Sequence, residues 1–135
     1  MNISLHNFTF RKSERLCSQK EIDELFSKGK SITEGNFRII CQPDLLDNPA
    51  QVKILVAVPK RNQHLAVKRN RMKRLIREAY RMHKSELIGF CHETGLSLNV
   101  AIVFSGKQIV SFNETELAII RLLKRLILIY ETAVK

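Results

Sequence analysis

The stretch that decides the fold begins Val52-Lys53-Ile54-Leu55-Val56-Ala57-Val58-Pro59. After a polar link over residues 60–65 it continues Ala66-Val67-Lys68-Arg69-Asn70-Arg71-Met72-Lys73-Arg74-Leu75-Ile76-Arg77-Glu78-Ala79-Tyr80-Arg81-Met82-His83-Lys84. The first part is apolar, β-branched and closed by a proline, which predicts a buried strand over 52–58. In the second part Met72, Leu75, Ile76, Ala79, Tyr80 and His83 recur at helical spacing, so a helix over about 66–84 turns one apolar stripe toward a sheet. The opposite arc carries Asn70, Lys73, Arg74, Arg77, Arg81 and Lys84, with Arg71 at its edge.

Working outward, Ser18-Gln19-Lys20-Glu21 reads as a capping box that opens a helix over about 19–28, and Gly29 reads as its stop. Phe37, Ile39 and Cys41 alternate with Arg38 and Ile40 in a strand that ends at Pro43, followed by turn-rich sequence to Gln51. Residues 97–104 (Ser-Leu-Asn-Val-Ala-Ile-Val-Phe) form a further strand. Residues 85–96, with Gly89 and Gly95, fit neither template. Asn113-Glu114-Thr115-Glu116 resembles a second capping box, opening a last helix to about Thr132. The order is α-β-β-α-β-α, an α+β chain arranged as a small α/β sandwich. It is expected to be one domain over 1–135, with a flexible N-terminal segment at 1–17. Phe8 and Phe10 in that segment read as a tether.

The chain has 135 residues, 44% of them hydrophobic, which excludes wholesale disorder. No apolar run approaches the roughly 20 residues that span a bilayer. The N-terminus lacks a charged stretch followed by an apolar one, so no secretory signal is expected. Cys17, Cys41 and Cys91 are far apart and unpaired by spacing, which fits a reducing, cytoplasmic location. Net charge is +10. Residues 60–84 hold ten basic side chains and one acid, Glu78, and so carry +9 of it. Like charges at i,i+3 and i,i+4 oppose helix formation, and a merely solvated face intersperses acids. A polyanionic partner is implied, and the preponderance of arginine suits bidentate phosphate contact.

No catalytic constellation accompanies this face. His6, His64, His83 and His92 have no metal-ligand spacing, the acids form no close cluster for two-metal chemistry, and no glycine-rich phosphate loop is present. His83 lies on the apolar stripe and reads as a packed side chain. The chain reads as a nucleic-acid-binding protein rather than an independent enzyme.

The run Ala66-Val67-Lys68-Arg69-Asn70-Arg71-Met72-Lys73-Arg74-Leu75-Ile76-Arg77-Glu78-Ala79-Tyr80-Arg81 resembles the signature of the bacterial ribonuclease P protein family, A-V-x-R-N-R-x-K-R-x-x-R-E-x-[FY]-R. Arg15-Leu16, Phe26, Gly29 and Phe37 fit the same family. The resemblance implies a ribosomal S5 domain 2-like sandwich with a left-handed β-α-β crossover, where the general rule favours the right-handed one. It implies a protein cofactor of a catalytic RNA that cleaves the 5′ leader from precursor tRNA, with Mg²⁺ bound mainly by the RNA. It assigns contact with that RNA to Lys60, Arg61, Lys68, Arg69, Asn70, Arg71, Lys73, Arg74, Arg77 and Arg81. It assigns the single-stranded leader to a cleft between the first helix and the sheet, at Ile22, Phe26, Phe37 and Ile40. No catalytic residue and no protein metal ligand is implied, and neither DNA nor membrane is an expected partner. Ile22 and Ile40 stand where the family has aromatics, and the loop at 60–65 is one residue longer than usual and lacks its glycine. The alternatives are a ribosomal or other RNA-binding module of related fold and, further off, a DNA-binding regulator.

Overall fold

The computed structural model describes residues 14–44 and 51–134. Residues 1–13, which include Phe8 and Phe10 of the N-terminal segment expected to be flexible, lie outside the described residues, as do residues 45–50. The elements in order are α1 (Gln19–Lys28), β1 (Lys30–Glu34), β2 (Phe37–Pro43), β3 (Val52–Ala57), α2 (Ala66–His83), α3 (Ser85–Thr94), β4 (Leu98–Phe104) and α4 (Phe112–Val134). The sheet order is β1-β2-β4-β3, with β3 parallel to β4 and the other pairs antiparallel. Two elements join the expected order. The weak stretch 30–34 is a strand closed on β2 by the Gly35-Asn36 turn, with Gly35 at φ 59°. The stretch 85–96 contains α3, ended by Gly95 at φ 73°.

Local signals act as read at α1. The Ser18 hydroxyl accepts from the Glu21 N–H, and the Gly29 N–H donates to the Leu25 carbonyl. Gly29 is required for space rather than for an unusual backbone: a Cβ there would meet the Leu25 carbonyl oxygen at 2.5 Å and the Ile40 side chain at 2.7 Å. The Glu21 carboxylate, however, accepts from Asn99 Nδ2 on β4 at 3.1 Å and lies 3.7 Å from Lys53 Nζ on β3. At α4 the cap sits two residues before the box proposed from sequence: Ser111 Oγ accepts from the Glu114 N–H at 3.2 Å.

The sheet has two unlike faces. One carries Phe37, Ile39, Cys41, Ile54, Val56, Val100, Ile102 and Phe104 against α2, α3 and α4, and holds the main core with Met72, Ile76, Ala79 and Tyr80. The other carries Ile40, Ala101 and Val103 against Leu16 and Leu25, with Ile22, Leu55 and Ala57 at the margin. β4, in the middle, is buried throughout, while β3 alternates between buried and half-buried. The apolar run 52–58, expected as a buried strand, corrects to an edge strand: Val52, Ile54 and Val56 face the main core, while Leu55 and Ala57 on the other face are half-buried at the margin of the second cluster. Residues 14–17, expected within the flexible segment, are docked. The Leu16 N–H donates to the Ile54 carbonyl at 2.9 Å along the open edge of β3, and Leu16 is buried.

Candidate nucleic-acid interface

The apolar stripe of α2 points inward, with Met72, Ile76, Ala79 and Tyr80 fully buried. This fixes the azimuth of the arc behind it. Asn70, Arg71, Arg74 and Arg77 are exposed on that arc and Lys73 is half-buried beside them, while Lys68 is exposed in the first turn on the side of the stripe and Lys60 and Arg61 on the preceding loop. Among the described residues none of these seven cations has an acidic partner.

The other three basic residues of 60–84 are engaged within the protein. Arg69 donates from Nη1 to the carbonyls of Gln63 (3.0 Å) and His64 (2.8 Å). This clamps the longer, glycine-free loop to the start of a helix that has no side-chain N-cap. The loop is also tied to the segment after β4, through Asn62 Nδ2 on the Ser105 carbonyl and Gln63 Nε2 on the Lys107 carbonyl, both at 2.9 Å. Its path thus follows from these hydrogen bonds. Arg81 holds Glu78 through Nε and Nη2 at 3.1 and 2.5 Å, and that bond keeps the Glu78 carboxyl below its ordinary range. Lys84, placed on the outer arc by the sequence, corrects to a buried position. Its side chain is 1% exposed and its Nζ donates to both carboxylate oxygens of Glu14, at 3.0 and 2.7 Å. The helix ends at His83, and Lys84 turns under α2 to meet the docked N-terminal segment. His83, on the apolar stripe, reaches Glu116 of α4 at 2.8 Å.

Of the cleft residues, Ile22 and Ile40 lie together on the face covered by α1. Phe26, one turn after Ile22, is 44% exposed and is not a core residue. Phe37 corrects to the opposite face, where it is buried against Phe104 with ring centroids 4.9 Å apart. Phe37 and Ile40 are three positions apart, an odd number, and a strand's period of two puts them on opposite sides. Strand parity also exposes a residue the sequence reading passed over, Arg38, which shares its face with Ile40.

The Ribonuclease P family model matches residues 10–127. The chain belongs to the ribonuclease P protein family. Family membership makes it the protein subunit of an endoribonuclease that matures the 5′ end of tRNA. A relative from Chlorobium phaeobacteroides, a ribonuclease P protein component, is 38% identical over 88% of each chain. Another, from Porphyromonas gingivalis, is 34% identical over 88% of this chain and 87% of its own. In fold, the chain resembles the RNase P protein of Staphylococcus aureus, at TM-score 0.68 and 20% identity over 85% of this chain and 96% of that one. It likewise resembles the RNase P protein from Thermotoga maritima, at TM-score 0.62 and 23% identity over 83% and 96%.

Proposed function

We propose that the exposed arc of α2 binds the phosphate backbone of the catalytic RNA, while the face of the sheet beside α1 receives the single-stranded 5′ leader of precursor tRNA. The observation that carries the first part is the set of four basic residues of α2, Arg71, Lys73, Arg74 and Arg77, that meet no acid among the described residues and are held on one arc by a fully buried stripe behind them. Such an arc neutralises phosphates and releases their counterions, giving affinity that falls with salt and carries little sequence information. Arg69 and Arg81 support it indirectly, the first by fixing the loop that carries Lys60 and Arg61.

The second part rests on Phe26, an exposed ring one helical turn after Ile22, which packs in the cluster with Ile40 on the face beside α1. A ring of this kind stacks an unpaired base with about 1–3 kcal/mol and without sequence preference. With isoleucines beside it, the cleft offers one stacking platform and apolar walls. The chemistry stays with the RNA. Among the described residues no three His, Cys, Asp or Glu side chains come together to hold a metal, and the arc offers only cations and an amide. On the family resemblance we assign the Mg²⁺ ions of the reaction to the RNA, with the protein's cations lowering the repulsion between the phosphates that hold them.

Reconstitution with a bacterial catalytic RNA and a precursor tRNA at low Mg²⁺ tests this. Cleavage is expected to be enabled or accelerated by the protein, and no gain over RNA alone would refute the reading.

A further inference from the structure

The face beside α1 does not end with the helix. Register places residues on it in rows: Ser31, Ile40, Ala101 and Leu55 form one, and Thr33, Arg38, Val103 and Ala57 form the next. The Glu21 end of α1 is bonded over Asn99, and its Gly29 end abuts Ile40. The Arg38 row therefore lies past the end of the helix that carries Phe26. There a cavity of about 350 Å³ opens, lined by Arg38, Arg61, Asn62, Thr33 and Ser105 over a floor that includes Val103.

Its walls are built rather than loose. Asn62 is bonded to the Ser105 carbonyl, and Ser105 donates through its backbone N–H to the Asn36 carbonyl at 3.0 Å, so loop and hairpin turn are joined across it. No acid lines it. Glu34, near in sequence, is on the other face of β1 and is held by Arg121 and Arg125. Among the described residues neither Arg38 nor Arg61 has an ionic partner. Two guanidinium groups sharing one cavity repel each other until an anion lies between them.

We propose that this notch is a second anchor for the leader, in which Arg38, with Arg61, grips a phosphodiester of the strand after it has passed Phe26 and Ile40. Arg38 is two residues from Ile40 on one strand, about 7 Å along the same face, so a strand crossing the first row reaches the second directly. The inference rests on the reading that the leader enters beside α1. It also gives the cleft a charge contact where Ile22 and Ile40 offer no ring.

The test uses holoenzyme reconstituted with a bacterial catalytic RNA. It compares binding of leader-bearing precursor tRNA and of mature tRNA over a salt series. Arg38→Ala is expected to weaken the leader-bearing substrate roughly five- to tenfold and leave mature tRNA unchanged. The salt slope for the leader should drop by about 0.7, the value of one single-strand phosphate. Arg38→Lys should recover most of the affinity as a point charge. Equal loss for both tRNAs, no loss for either, or a loss in assembly with the catalytic RNA would overturn the notch. Phe26→Ala, measured alongside, separates the two ideas: if it discriminates leader from mature tRNA while Arg38→Ala does not, the cleft stands and the notch falls. If Arg38→Ala alone discriminates, the notch stands and stacking by Phe26 falls.

Discussion

Helices α2 and α4 pack against each other and against the same face of the sheet, and both carry arginines at helical spacing on their outer sides. Their charges have opposite fates. On α4, Arg125 donates to the Thr33 carbonyl at 2.7 Å, and both Arg121 and Arg125 lie within 3.5 Å of the Glu34 carboxylate on β1. On α2, Arg71, Arg74 and Arg77 meet no acid among the described residues. A basic helix is thus not a binding helix by count. What marks α2 is charge that the fold leaves uncompensated, at a cost in helix stability of a few tenths of a kcal/mol per like-charged pair.

The sharpest way to break that contrast is to remove the uncompensated set. Arg71→Ala, Arg74→Ala and Arg77→Ala together are expected to weaken binding to the catalytic RNA roughly a hundredfold and to lower the salt slope by about 2–3. Thermal stability should stay level or rise as repulsion is relieved. Filter binding across a salt series reads both numbers, and an unchanged slope would mean that the arc faces no phosphate.

Within the same basic segment, Lys84 behaves like an α4 residue rather than an α2 one. Glu14→Ala takes from a buried ammonium the carboxylate that meets it at 2.7 Å. Breaking a fully buried pair costs about 3–5 kcal/mol, and because Glu14 keeps 21% of its side-chain exposure a loss of about 2–3 kcal/mol is expected in urea unfolding. RNA affinity of the folded protein should hold. A variant as stable as the parent would show that the pair does not fasten the N-terminal segment.

Lys84 also shows where reading the sequence reached its limit. Its partner is 70 positions away, and nothing local distinguishes it from Lys73. α1 and α2 were legible to within a residue because the cap of α1 and the apolar stripes of both are local signals. β1 was not, since its five residues are polar on one face and its pairing comes from β2 and from Arg125 on α4. The misplacement of Phe37 was avoidable, for parity alone separates it from Ile40. The notch was only half legible: parity puts Arg38 beside Ile40, but only the register across four strands and the bonded loop bring Arg61 to the same cavity.

A smaller effect is expected where α4 is tested on its own terms. Arg121→Ala with Arg125→Ala should leave RNA binding within about twofold. It should lower stability by about 0.5–1 kcal/mol, as fits exposed pairs. A hundredfold loss of RNA affinity here would erase the distinction between the two helices.

The smallest expected effect has the opposite sign. Glu78 is the one acid within 60–84, and its bond to Arg81 holds that guanidinium against the helix. Glu78→Gln removes the one negative charge of the segment and weakens its hold on Arg81, so RNA affinity should rise roughly twofold, with a slightly steeper salt slope. The pH dependence follows from the lowered carboxyl. Because folding depresses the Glu78 value below its ordinary 4.5, the stabilisation from the pair is present above 4.5 and fades as pH falls through the folded value. Melting temperatures of the parent and of Glu78→Gln should therefore differ at neutral pH and converge in acid. A gap that persists in acid would mean that Glu78 acts through packing rather than through charge, and Arg81 would then count with the displayed arc rather than with the paired residues.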